Sequence, residues 1–146
     1  MVIRVLDDKK ADQCDELLTK LIHDERQYDD SIDNDFVVND YFKNVIKNED
    51  DILLAYEENE IIKGYIFLKF IVDGHKKGYL IDGLYVDEPY RGLGIASNLL
   101  EKSLNVIKSK KVDYVDINSL AMNKKALNLY KKFNFKEFKI KFRINL

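Results

Sequence analysis

Apolar and polar positions change their period several times along the chain, and each change marks an element. "VIRVL" (2–6) alternates like a short strand. Residues 8–25 then carry apolar side chains every three or four positions, at Ala11, Cys14, Leu17, Leu18, Leu21 and Ile22, which predicts an amphipathic helix. The acidic stretch from Asp29 to Asn34 reads as a loop, and Phe36, Tyr41, Phe42, Val45 and Ile46 predict a second helix over 35–48. "ILLAYE" (52–57) and "IIKGYIFLKFIV" (61–72) are strands separated by Glu58, Asn59 and Glu60, a hairpin spacing. Beyond the turn "DGHKKG" come a strand "YLIDGLYV" (79–86), a glycine-bearing loop, and a helix over 95–110 with Ala96, Leu99, Leu100, Leu104 and Ile107 on one face. "VDYVDINSL" (112–120) predicts a strand, 123–133 a short helix, and "FKEFKIKFRI" (135–144) a final strand.

This order is that of an α/β (α+β) mixed sheet, with three hairpin-joined strands followed by a βαβ crossover that makes strands 79–86 and 112–118 parallel neighbours. A length of 146 residues with 46% hydrophobic content supports one core, hence a single domain over 1–146. No run of about 18 apolar residues predicts a membrane span, and the first residues lack the pattern of a signal or transit peptide, so a cytoplasmic protein is expected. Cys14 is the sole cysteine and falls on a helical apolar stripe, where it is expected in the core. With two histidines besides, an ordinary structural zinc site is excluded and no metal is expected.

Charge is unevenly spread. Residues 24–51 hold ten acidic side chains against three basic ones, and residues 102–146 hold twelve basic against three acidic. The lysines are scattered and the net charge is -2, which argues against a nucleic-acid partner.

Candidate chemistry concentrates in "PYRGLGIASNLL" (89–100). A strand ending at Val86, a turn with Gly92 and Gly94, and a helix from Ile95 set unpaired backbone N–H groups at the positive end of a helix dipole, an anion cradle to which Arg91 adds charge. The P-loop pattern is absent, since no lysine follows the glycines, and the dinucleotide pattern lacks its third glycine, which is Ser97.

"LYVDEPYRGLGIASNLL" resembles the central motif of the GNAT superfamily of N-acetyltransferases, R/Q-x-x-G-x-G/A, matched by Arg91, Gly94 and Ala96. A second motif, "NKKALNLYKKFNF" (123–135), is similar to the family's N-x-x-A-x-x-L-Y-x-K-x-G-F, with Asn134 in place of the glycine, the residue that best tolerates a left-handed turn. The resemblance implies a mostly antiparallel sheet with a central, splayed parallel pair flanked by helices. It implies acetyl-CoA as co-substrate and no metal. The pyrophosphate is then expected on the N–H groups of Gly92, Leu93, Gly94, Ile95, Ala96 and Ser97 beside Arg91, and the pantetheine arm along Leu84, Tyr85 and Val86, with Asn123 touching that arm. Gly83 stands where the family carries a strand bulge, Asp82 where several members carry a catalytic carboxylate, and Tyr130 where the family places its general acid.

An alkylamine at pH 7 is neutral about one time in 2,500, a penalty of roughly 4.6 kcal/mol, so a base is needed; Asp82 suits that task only if burial raises its pKa. The acceptor implied is a primary amine of a small molecule or of a protein or peptide, and Asp29, Asp30, Asp33 and Asp35 favour a cationic one. Both a monomer and a homodimer are compatible with the sequence. A non-catalytic acyl-CoA-binding module of the same fold is the alternative.

Overall fold

The computed structural model describes residues 1–146. A short strand β1 (Val2–Arg4) leads to Asp7, whose extended backbone and carboxylate, accepting the Lys10 N–H at 2.9 Å, start the helix α1 (Asp8–Glu25). Its inward stripe of Ala11, Cys14 and Leu17 is buried. Then follow α2 (Tyr41–Val45), β2 (Ile52–Glu58), β3 (Ile61–Asp73) and β4 (Lys76–Val86), a 3-10 turn at Glu88–Tyr90, α3 (Ile95–Lys108), β5 (Tyr114–Ile117) and α4 (Lys124–Lys132). The sheet order is β1-β2-β3-β4-β5, antiparallel except for the parallel pair β4 and β5.

Each face of the sheet has its own core. Cys14, Leu17, Phe42, Tyr65 and Phe67 pack together on the side of α1 and α2, and Ile66, Leu68, Tyr79, Ile81, Leu99 and Leu100 on the side of α3. Neighbours in β3 therefore point to opposite cores, as a pleated strand requires. Full burial of each aliphatic side chain contributes about 1.5–3 kcal/mol. Cys14 lies in the first core, where burial pushes its thiol up to about 12, so it packs and does not react.

β4 changes faces partway. Leu68 pairs with Ile81 and Phe67 with Gly83, which leaves Asp82 as the extra residue of a bulge. Before the bulge Tyr79 and Ile81 join the α3 core; after it Tyr85, also odd-numbered, joins the α1 core. One inserted residue has exchanged the two faces. The expected bulge thus exists, centred on Asp82 and not on Gly83. Gly83 is needed beside it, because a Cβ there would stand 3.0 Å from the Tyr65 hydroxyl.

Three expectations need correction. The second helix covers only Tyr41–Val45, because Asp40 is left-handed at φ 60° and the Phe42 N–H is taken by the buried Asp15 carboxylate at 3.0 Å, which sets the start of the helix from outside. The strand predicted over 112–120 narrows to Tyr114–Ile117. The predicted strand 135–144 does not form: beyond Phe135 no backbone hydrogen bond to the rest of the chain is made, and Phe138 and Phe142 are 91% and 90% exposed. An alternating sequence has strand propensity, but a strand exists only where an edge pairs with it.

Candidate active site

The glycine turn forms as the sequence predicts. Gly92 and Gly94 take φ 79° and 81°, a region L side chains avoid, and nothing lies within 4 Å of where a Cβ would sit on either, so both face open space. Asn98 makes the first backbone bond of α3, to the Gly94 carbonyl at 3.0 Å, and the N–H groups of Gly92, Leu93, Gly94, Ile95, Ala96 and Ser97 find no acceptor within the chain. They converge at the positive end of a 14-residue helix.

Arg91 is tied back to the protein. Its Nε donates to the Val86 carbonyl at 2.9 Å, its terminal nitrogen pairs with Asp24 at 3.0 Å, and the guanidinium stacks 5.1 Å from the Tyr85 ring centre. Its charge is largely answered within the protein, and the side chain fixes the loop to β4 and to the end of α1.

Pairing between β4 and β5 stops at Ile81 and Ile117. Beyond that point Leu84, Tyr85 and Val86 stay paired with β3 but offer a bare edge toward the gap, as the splay implied. Asn123 caps α4: its Oδ1 accepts the Ala126 N–H at 3.2 Å, which leaves the amide nitrogen for other partners. Asn134 is left-handed at φ 70°, so the substitution for glycine preserves the turn.

Asp82 projects from the bulge into a cavity of about 470 Å³, lined by Leu18, Ile22, Phe36, Val37, Val38, Asn39, Tyr41, Phe42, Tyr65 and Phe67. Asp82 stays exposed at the cavity mouth, yet partial desolvation raises its carboxyl above its ordinary value, and Lys69 opposes the shift. That is the direction a general base requires. Tyr130 does not line this cavity; it is half-buried on α4 against Phe135, at 6.2 Å between ring centres, and burial raises its phenol with a further push from Glu25. The cradle, the open edge and Asp82 are therefore brought into one continuous strand-and-loop unit, with Tyr130 on the neighbouring helix.

Residues that no motif singled out hold the cavity wall. The Thr19 hydroxyl accepts the Val38 N–H at 3.0 Å, His23 Nε2 donates to the Phe36 carbonyl at 2.7 Å, and Arg26 Nε to the Ile32 carbonyl at 2.8 Å, so one face of α1 straps down the loop after it. Their positions, three or four residues apart on α1 and at its C-cap Arg26, were the only sequence signal. Asp29, Asp30, Asp33 and Asp35 lie in the same loop, yet none lines the cavity.

A strand opened at a bulge and followed by a turn of unpaired amides is the candidate site. The chain belongs to the acetyltransferase (GNAT) family, which it matches over residues 15–135. It is 34% identical over 89 residues to an N-alpha-acetyltransferase of Sulfolobus acidocaldarius, and 35% identical over 89 residues to one of Sulfurisphaera tokodaii. Each match covers 60% of this chain and 52% and 53% of those relatives, so the chain spans about half their length. Its fold is shared with a tetramutant of the BH1408 protein from Bacillus halodurans (TM-score 0.88, 19% identity, covering 100% of this chain and 99% of that one). A metagenomic aminoglycoside acetyltransferase crystallised with trehalose shares it too (TM-score 0.80, 17% identity, 100% and 95% covered). No helix is long and apolar enough to cross a membrane.

Proposed function

We propose that the protein is an acetyl-CoA-dependent N-acetyltransferase that modifies a primary amine of a small molecule or peptide by direct attack in a ternary complex. The observation that carries this reading is the sequence of unpaired amides 92–97, open β4 edge and bulged Asp82 along one stretch of chain. Family membership and the N-alpha-acetyltransferase relatives support an amine as acceptor.

Acetyl-CoA supplies the activated acetyl thioester and an anionic handle. The amides of Gly92, Leu93, Gly94, Ile95, Ala96 and Ser97 receive the handle's pyrophosphate oxygens, and Arg91 keeps their loop in place. Leu84, Tyr85 and Val86 bind the pantetheine amides as an added strand, and the Asn123 amide nitrogen contacts the same arm. Asp82 takes one proton from the acceptor ammonium, the amine nitrogen bonds to the acetyl carbon as the C–S bond breaks, the Tyr130 hydroxyl protonates the departing sulfur, and the second proton lost by the nitrogen returns to the Tyr130 phenolate. All of this work falls within one domain spanning residues 1–146.

The test is thermal shift followed by turnover. Acetyl-CoA at a hundred times its Kd is expected to stabilise the fold by about 2.7 kcal/mol, and an amine panel to release free thiol. Stabilisation without thiol release from any amine would replace catalysis with the non-catalytic binding module.

A further inference from the structure

We infer that the acceptor carries its primary amine on an uncharged, apolar body, which the cavity at Asp82 receives side-on. This rests on the acetyltransferase reading and deepens it.

Nine of the eleven residues lining the cavity are hydrophobic, and Asp82 is its only charged group. The loop that walls it carries four aspartates, but it lines the cavity with Phe36, Val37 and Val38 and leaves the carboxylates outside the lining. At the rim the same apolar side chains meet water, with Val37 60% exposed. A monomer tolerates such a patch where something apolar docks on it. A polycation would have to strip its extra charges against these walls with a single carboxylate in return, which is unfavourable. A lone ammonium facing Asp82, with its apolar substituent against Phe36, Val37 and Ile22, leaves no charge unanswered.

A second observation comes from the floor. The Tyr65 hydroxyl is buried and has neither donor nor acceptor within the chain, although its ring packs edge-on against Phe42 and a Cβ on Gly83 would stand 3.0 Å from the hydroxyl. A buried hydroxyl left unsatisfied is costly unless a ligand or its water completes it. Tyr65 is among the residues lining the cavity beside Asp82, so a small shift of the wall brings its sealed hydroxyl to the amine, and we assign it to orienting that amine.

The experiment measures thiol release from acetyl-CoA with 2-phenylethylamine and with a short peptide bearing an N-terminal leucine, against spermidine and an aminoglycoside. Either apolar amine is expected to exceed both polycations in kcat/KM by about tenfold or more, the worth of burying one such group; which of the two is preferred separates a free amine from a peptide terminus. Val37→Glu is expected to raise KM for the apolar amines and lower it for spermidine, with acetyl-CoA affinity unchanged. Tyr65→Phe, which removes an unpaired oxygen and keeps the ring, is expected to keep its Tm while raising acceptor KM severalfold. Preference for a polycation, or unchanged acceptor KM in both variants, overturns this inference and leaves the acetyltransferase reading intact. No thiol release from any amine overturns that reading as well.

Discussion

Asp82 sits where it does because β4 inserts one residue against β3, and the insertion carries its carboxylate to the cavity side of the sheet. Its raised pKa has consequences of opposite sign for activity and stability. Folding raises an acid's pKa only by penalising the charged form, so the folded state binds more protons than the unfolded one between the two values, and stability falls as pH rises through that window. At neutral pH the ionised carboxylate is a stability cost and a catalytic asset. Asp82→Asn is therefore expected to hold or raise Tm at pH 7, to lower kcat by about a hundredfold or more, and to abolish the acid limb of kcat/KM that Asp82 imposes above the ordinary aspartate range. Matching pH–rate profiles and melting curves check both signs; a variant as active as the parent would remove Asp82 from the mechanism.

Among elements, the loop 92–94 and the strap on α1 make separable contributions. Gly94 is left-handed with free space around its missing Cβ, so Gly94→Ala meets no clash and bears only the conformational cost, about 1–2 kcal/mol. The expected outcome is a modest loss in urea midpoint together with weaker acetyl-CoA binding, read by titration calorimetry. Thr19→Val frees the Val38 N–H and loosens the cavity wall. It is expected to raise acceptor KM without altering acetyl-CoA affinity, the reverse of the Gly94 variant. Both elements differ in how visible they were beforehand. The cradle was legible because positive φ and close approach are demands that a glycine pattern states locally. The strap was not, because Thr19, His23 and Arg26 meet partners that an ordinary amphipathic helix gives no reason to expect, and a loop of aspartates gave no sign that its apolar residues would turn inward.

For the whole molecule, the distribution of packing is uneven. The two cores enclose β2, β3, the greater part of β4, and the inner faces of α1 and α3, whereas residues 136–146 are exposed throughout and are held by surface charges, Glu137 3.7 Å from Lys131 and Arg143 near enough to Asp29 to add to Ser31's lowering of its carboxyl. Such a pair is worth little. Ending the chain after Phe135, which still packs against the α3 core, is expected to leave Tm within about 2 °C and acetyl-CoA binding unchanged. The alternating apolar row it removes is unpaired and exposed, and the shortened protein is expected to associate less with concentration in sedimentation velocity.

By itself the sequence determined the element order as far as the last helix, the parallel crossover, the glycine turn and the motif pair, since each follows from periodicity or from a backbone demand expressed within a few residues. Only the tertiary structure decided that Asp82 is the bulged residue, that Arg91 is held by Asp24, that Tyr65 ends in an unpaired hydroxyl, and that the last alternating segment finds no edge. Those outcomes depend on which surfaces meet across the sheet, and a contact between residues 67 apart in sequence leaves no local trace.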